Sequence, residues 1–394
     1  MNILIVGSGC SAVYLASLIS FYKKEIRVDI LSNDDVIGKK ILVTGNGRCN
    51  LGNLGNIKSN EYNNEITKDI VSSFSIENII SFLSNIGIHV TTINNLVYPY
   101  SLSSKNYREL LSAFVLNNKN VKVIKDLKFV DYISKNNEVE VQLNNNNIKT
   151  YDKIVFATGG ISGNNKNSAE IIGILKKHNY VITPFKPGLA PIKTKEKTAL
   201  VNGKRVKCDI SLLKNNKLIY KERGEVLFKK DGLSGISIFN CSSLINRSNE
   251  IADFVISLDF FPDYDLTNLI NLLTKFNKSN TNSLLNSFFD KDMSSFILKM
   301  IQMNKVSKYN EKEIKSLAFS LKNLKFHYES TYDFKDSQVS IGGISYSNLN
   351  ITSLESLLEK NIYFIGEILD SDGLCGGYNL MFAFASAFKV LNSL

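Results

Sequence analysis

The chain has 394 residues, 44% of them apolar and 10% aromatic, with a formal net charge of +10. That length exceeds the roughly 250–300 residues at which one hydrophobic core stops growing, so a large domain with a smaller one is expected, and the apolar content excludes a chain disordered throughout. The positive charge is mostly lysine scattered among asparagine and isoleucine, with no run of five like charges; it reads as a solvated face compatible with an anionic ligand rather than as a nucleic-acid patch.

The opening "MNILIVGSGCSAVYLASLIS" has the apolar run of a signal peptide but no basic residue before it. Its glycine spacing has a better account. Ile3 to Val6 is a short apolar strand that empties into Gly7-Ser8-Gly9-Cys10-Ser11-Ala12, after which Leu15, Leu18 and Ile19 recur at helical spacing. A second apolar run, Val28 to Leu31, completes the start of a β-α-β unit.

In that setting Gly7 permits the tight turn, Gly9 lets amides at the helix start approach a pyrophosphate, and Ala12 allows close packing of helix on strand. The carboxylate that ordinarily ends the second strand and takes the ribose hydroxyls is missing. Ser32 stands there, followed by Asn33, Asp34 and Asp35.

Next comes "VTGNGRCNLGN", residues 43–53, with three glycines, three asparagines, an arginine and a cysteine. Its composition alone leaves open a metal loop, a reactive thiol or a close backbone approach to a ligand. Helical periodicity follows over 67–86 and 104–117, bracketing "NLVYPYSLSSKNY". Val121–Ile124, Phe129–Ser134 and Val139–Leu143 read as three strands of a small meander. "KIVFATGG" is another buried strand ending in glycines, expected beside the first, with a helix over 168–178 after it.

From Pro184 the grammar changes. Three prolines precede "RVKCDISLLKNNKLIYKERGEVLFK", an antiparallel hairpin with an Asn-Asn turn. A strand over 252–259 leads to amphipathic segments between 266 and 322 that predict a small helical bundle. The last sixty residues return to strands and glycines: Ile362–Ile365 ends at Gly366-Glu367, and Gly376-Gly377 opens a helix from Tyr378 to Leu391, whose free amides and partial positive charge favour a negative group by about 0.3–1 kcal/mol.

The five cysteines, Cys10, Cys49, Cys208, Cys241 and Cys375, contain no CxxC pair, and His89, His178 and His327 stand alone. No metal site or disulfide framework is expected, and reduced thiols suit a cytoplasmic protein. No further segment offers 18 uninterrupted apolar residues, so no membrane span is expected.

The phosphate turn, the central "ATGGIS" and the C-terminal "IYFIGEILDSDGLCGGYNLMFAFASAF" resemble the FAD-binding half of glutathione-reductase-like flavoproteins. With "GKKILVTGNGRCNLGN", "VYPYS", "GLSGISIFN" and "QVSIGGI" also in order, the chain resembles, nearly end to end, the BaiN/RdsA-like family of NAD(P)/FAD-dependent oxidoreductases, the aminoacetone-oxidase-like flavoproteins. The resemblance implies an α/β fold in which a Rossmann-like FAD-binding domain over 1–185 and 333–394 is interrupted by a β-rich substrate domain, 186–262, and a helical subdomain, 263–332, that could act as a lid.

It also implies a cofactor site. Gly7, Gly9, Cys10, Ser11 and Ala12 would hold the diphosphate, with Ser32 at the ribose and Leu127 at the adenine. Gly45, Asn46, Gly47, Arg48, Cys49 and Asn50 would cradle the flavin, Lys39 and Arg48 facing the pyrophosphate or an anionic flavin, with Ala157, Thr158 and Gly159 on the central strand. Gly366 and Glu367 would meet the ribitol with Asp370 nearby, and Gly376, Gly377, Tyr378, Asn379 and Leu380 the pyrimidine end of the ring. Cys49 reads as a packing residue, with contact to flavin or substrate as the alternative, and Cys375 as a residue that could approach it.

The implied function is an FAD-dependent oxidoreductase of a small molecule. The donor is open between NAD(P)H, for which no second GxGxxG exists, and an amine, a hydroxy compound or a quinol. The alternatives are a flavin-dependent RNA-modifying enzyme and a flavin-binding protein without turnover. No residue stands out as acid or base; Tyr98, Tyr100, Ser101, Lys105 and Tyr378 are the polar candidates. No membrane partner is expected, a nucleic acid is disfavoured, and the oligomeric state is open.

Overall fold

The computed structural model describes residues 1–57, 60–248, 252–279, 284–304, 306 and 308–394. Residues 280–283, 305 and 307 of the expected helical section lie outside the described residues. The chain forms two compact units, Met1–Lys186 with Val339–Leu394, and Pro187–Gln338.

The first unit is built on a sheet whose five central strands are parallel. In spatial order these are Ile362–Phe364, Lys153–Phe156, Asn2–Val6, Arg27–Leu31 and Val121–Ile124. Strands buried on both faces read as continuous apolar runs, which is why Ile3–Val6 and Ile154–Phe156 are at most 3% exposed. Two short antiparallel strands, Leu349–Asn350 and Glu355–Ser356, close one edge. The first helix, Cys10–Tyr22, and the last, Tyr378–Leu391, pack together, joined by the edge-to-face pair Tyr14–Phe384 at 4.7 Å.

The meander expected over 121–143 is corrected. Val121–Ile124 is the edge strand of the parallel sheet, and the three-stranded meander is Phe129–Ser134, Val139–Leu143 and Ile148–Tyr151. A four-residue apolar run carries no mark of its partner, so sequence order alone put it with the wrong neighbours. The single helical stretch expected over 67–86 is two helices, Glu65–Ser72 and Ile76–Asn85. The break comes where Ser75 caps the second by accepting from the Glu77 N–H.

The meander is tied to the sheet's edge by an ionic cluster. His178, at the C-cap of helix Lys166–Lys177, meets Asp131 through Nε2 (2.8 Å) and Glu359 through Nδ1 (3.0 Å). Its ring stacks on Tyr132 at 4.1 Å and 8°, and Tyr132 and Tyr180 both donate to Glu359 Oε2.

The second unit is a closed six-stranded barrel, in the order Ile192–Thr194, Gly232–Ser234, Lys217–Lys229, Arg205–Lys214, Phe254–Asp259 and Leu324–Thr331. Its long hairpin turns at Asn215 and Asn216, both at positive φ, as the Asn-Asn pair predicts. Helices Leu266–Ser279, Lys291–Met300 and Glu311–Lys322 lay Leu269, Leu273, Ile297 and Leu317 into the same core as barrel residues Ile210, Phe228 and Phe326. Among the described residues, no helix is long and apolar enough to cross a membrane.

Candidate cofactor site

The phosphate turn is compact because Gly7 has φ +110° and a Cβ there would lie 2.6 Å from the Ala157 carbonyl of the adjacent strand. Gly9, extended at the N-cap, gives the first helix no side-chain cap. The amides that open that helix have no partners within it, and no acidic residue occupies the first turn. Cys10, Ser11 and Ala12 follow, Ser11 and Ala12 buried. The chain is stacked here: a Cβ on Gly366 would meet Ser11 Oγ at 2.5 Å.

At the end of the second strand, buried Ser32 places its Oγ 2.7 Å from Ser8 Oγ and accepts from the Asp34 N–H. Asp34 does not take its place: it is paired with Lys39 at 2.9 Å, on the surface. Lys40 reaches the Ser162 hydroxyl at 3.2 Å. Leu127 follows Asp126, itself at positive φ, just beyond the edge strand.

Residues 39–47 form a broken 3-10 segment in which Thr44 is extended and Gly45 and Asn46 are left-handed. Gly45, Asn46, Gly47 and Arg48 are exposed, while Cys49 is fully buried. Burial pushes the Cys49 thiol up to about 12, with Thr44 only partly countering it. A thiol so protonated at neutral pH is a poor nucleophile, which agrees with a packing role.

This loop meets the C-terminal helix. Gly377, left-handed at the N-cap, leaves no room for a Cβ, which would lie 2.7 Å from Asn50 Oδ1 and from the Gly52 Cα. Asn53 Nδ2 donates to the Tyr378 hydroxyl (3.3 Å), and Tyr62 donates to the Tyr378 carbonyl (2.9 Å). Asn379 braces the turn by bonding both backbone groups of Gly373 at 2.8 Å, and a Cβ on Gly376 would lie 2.9 Å from the Tyr378 ring. Leu380 and Cys375 are half-buried beside them. Burial, then Glu61, pushes the Tyr378 phenol up, so it stays protonated.

On the central strand, Ala157 is buried and the Thr158 carbonyl accepts from Ser168 Oγ at 2.6 Å. Gly159, at φ +72°, sits beside Glu367, whose Oε1 accepts from the Ser340 N–H (2.7 Å) and Ser162 Oγ (3.3 Å). Its Oε2 takes no hydrogen bond among the described residues and is the oxygen nearer Gly159, at 3.9 Å from a Cβ there. Asp370 differs: Thr183 occupies Oδ2 (2.7 Å) and Asn63 Oδ1 (3.0 Å), and burial raises its pKa. It is braced on both oxygens. Tyr100, Ser101 and Lys105 are exposed, and Tyr98 is half-buried.

One residue escaped the sequence reading. Arg108, on helix Ser104–Leu116, has a buried Nε with no partner, and its stem packs against Gly38, whose N–H donates to the Ser8 carbonyl. A buried donor left unmade costs about 1–3 kcal/mol, so an absent acceptor is implied. A bound diphosphate would supply such an acceptor, and with the uncapped first helix and the open Glu367 Oε2 the residues present fit FAD. Arg108→Met should weaken FAD binding about tenfold, read by flavin fluorescence, with little change in melting temperature. An unchanged affinity would make Arg108 a packing residue. No sequence signal marks it, since a helical arginine is ordinarily solvated.

Among the described residues, no group of three or more His, Cys, Asp or Glu could hold a metal ion. A family model described as the HI0933-like protein Rossmann domain matches residues 1–392. The chain is 25% identical to the 3-dehydro-bile acid delta(4,6)-reductase of Clostridium scindens, over 98% of this chain and 96% of that protein. It is 24% identical to the ribosomal RNA dihydrouridine synthase of Escherichia coli, over 99% and 97%. Among solved structures, 3-ketosteroid delta1-dehydrogenase from Sterolibacterium denitrificans aligns with a TM-score of 0.50 at 10% identity, covering 99% of this chain and 98% of that one, a likeness of fold. The chain therefore belongs to the HI0933-like Rossmann family, the BaiN/RdsA-like group, and is an FAD-dependent oxidoreductase.

Proposed function

We propose that the enzyme reduces a carbon–carbon double bond conjugated to a carbonyl in a small molecule, with NAD(P)H as the donor. FAD, when bound, supplies the two-electron hydride chemistry. The observation that carries the reading is the meeting of the Asn50–Asn53 loop with the helix opened by Gly377. Its uncapped amides favour negative charge where it would build up on a reduced ring. Tyr378 keeps its proton, as a donor to the carbon alpha to the carbonyl must. The named activities of the two relatives support the substrate chemistry: a 3-oxo-4,6-diene and the uracil ring each hold an alkene conjugated to a carbonyl.

Anaerobic NADH and NADPH should bleach the yellow protein separately and to different extents, and a steroid 4-en-3-one should restore the colour. Tyr378→Phe should leave bleaching intact and slow recolouring about a hundredfold. Bleaching by neither nucleotide would remove NAD(P)H as donor, and equal recolouring would remove Tyr378 as the acid.

An RNA substrate is the second reading, favoured by the barrel unit's surface. Residues 187–338 hold 24 Lys and Arg against 17 Asp and Glu, and Lys193 and Lys229 flank the Tyr332 ring at 5.4 and 4.3 Å. Such basic and aromatic groups can hold a phosphate backbone and a stacked base. RNA binding that falls steeply with salt would favour this reading, and none at low salt would end it.

A further inference from the structure

The second unit carries a cleft that the redox reading does not use. It has a volume of about 590 Å³ and lies between the start of the long hairpin and two aromatic pairs, Phe260-Phe261 and Phe288-Phe289. The rings meet edge to face: Phe260 with Phe289 at 5.5 Å and Phe261 with Phe288 at 5.4 Å. Phe260 is buried, whereas Phe261, Phe288 and Phe289 keep part of their surface open. Three partly open phenylalanines give the cleft an apolar floor against which an alkyl chain can lie.

The rim carries charge of both signs. Lys204 bridges Asp290 (2.9 Å) and Asp292 (3.2 Å), so two carboxylates surround one ammonium. Arg205 and Lys207, next along the same segment, share one carboxylate. Arg205 pairs with Glu225 at 2.5 Å, and Lys207 stands opposite Glu225 in the strand register, exposed and in no ion pair among the described residues. Lys204 is therefore fully engaged, whereas Lys207 is a cation to spare.

We infer that this cleft binds an amphipathic organic anion, its apolar body on the phenylalanines and its single carboxylate or sulfonate at Arg205 and Lys207. The anion goes to Lys207 rather than to Lys204, because Lys204 is already held by Asp290 and Asp292. The site is separate from the flavin reading and stands or falls without it, since all its residues lie within 203–293.

The test is calorimetric titration of the FAD-loaded protein with octanoate, using octan-1-ol as the uncharged counterpart and flavin absorbance as the check on the cofactor. Octanoate should bind at one site and more tightly than the alcohol. Lys207→Gln should weaken octanoate about tenfold without affecting octan-1-ol, Lys207→Arg should restore it, and Phe261→Ala should weaken both. Equal affinity for acid and alcohol would overturn the anion preference. Octanoate binding unchanged in both Lys207→Gln and Phe261→Ala, or absent altogether, would overturn the site. Lys207 is exposed, so its variants report on binding even if Phe261→Ala fails to fold.

Discussion

Gly7→Ala should purify colourless and remain so with added FAD. At φ +110° an L side chain costs about 1–2 kcal/mol, and the new Cβ would lie 2.6 Å from the Ala157 carbonyl oxygen and 2.9 Å from the Thr158 Cα. Both are backbone atoms just beyond the C-terminal end of the strand Lys153–Phe156, so neither can rotate away as a side chain would. Overpacking of that kind adds about 1–3 kcal/mol unless the turn moves, and movement takes the amides of the first helix off a diphosphate. The readouts are flavin content on purification and the urea midpoint. Gly173→Ala is the matched control: it lies on an exposed helical position with nothing within 4 Å of the new Cβ, and should stabilise by about 0.5–1 kcal/mol. Yellow Gly7→Ala protein of normal affinity would show that the turn does not position the cofactor.

His178→Ala should cost about 2–3 kcal/mol of stability at pH 6 and less at pH 9. The imidazole joins three elements, and its removal leaves Asp131 and Glu359 as carboxylates without their partner. Burial alone would disfavour the charged ring, but the hydrogen bonds it donates to Asp131 and Glu359, followed by the charges of those carboxylates, outweigh it and raise the pKa above the ordinary value. A group whose folded pKa is raised contributes fully below its unfolded pKa, about 6.5, and loses that contribution as pH rises through the folded value. The wild type should therefore lose stability on going from pH 6 to pH 9, and His178→Ala should lose less over the same span. Parallel pH profiles of the urea midpoint for the two proteins would rule out the titrating lock.

Parts of this fold are legible in the sequence because the physics is local. Ile3–Val6 followed by Gly7-Ser8-Gly9 can only be a strand running into a tight turn, since the run is too short for a buried helix and the glycines stop it. The last helix, Tyr378–Leu391, is legible because Gly376-Gly377 marks a turn before it, and Gly377 is left-handed there. Asn215-Asn216 marks its hairpin for the same reason. Other features are invisible. Val121–Ile124 carries no label that sends it to the parallel sheet rather than to the meander. The His178 cluster draws on residues 131, 178 and 359, and no spacing rule connects them.

The candidate site divides in the same way. Its glycines are readable because each answers a backbone demand. The duties of its charged residues are not, because they depend on which donors the fold brings near. Glu367 and Asp370 stand three residues apart and look alike in sequence, yet Glu367 keeps one oxygen open beside Gly159 while Asp370 has both engaged. Arg108 resembles any solvated helical arginine until Gly38 is found against its stem.

By itself the sequence determined the strand-turn-helix units, the glycine turns and the family, because these depend on backbone conformation and on motifs in series. Only the tertiary structure decided strand partners, the barrel's closure and which polar atoms are left for a ligand. Those depend on contacts between distant residues, whose energies are comparable for many pairings until the whole chain is packed.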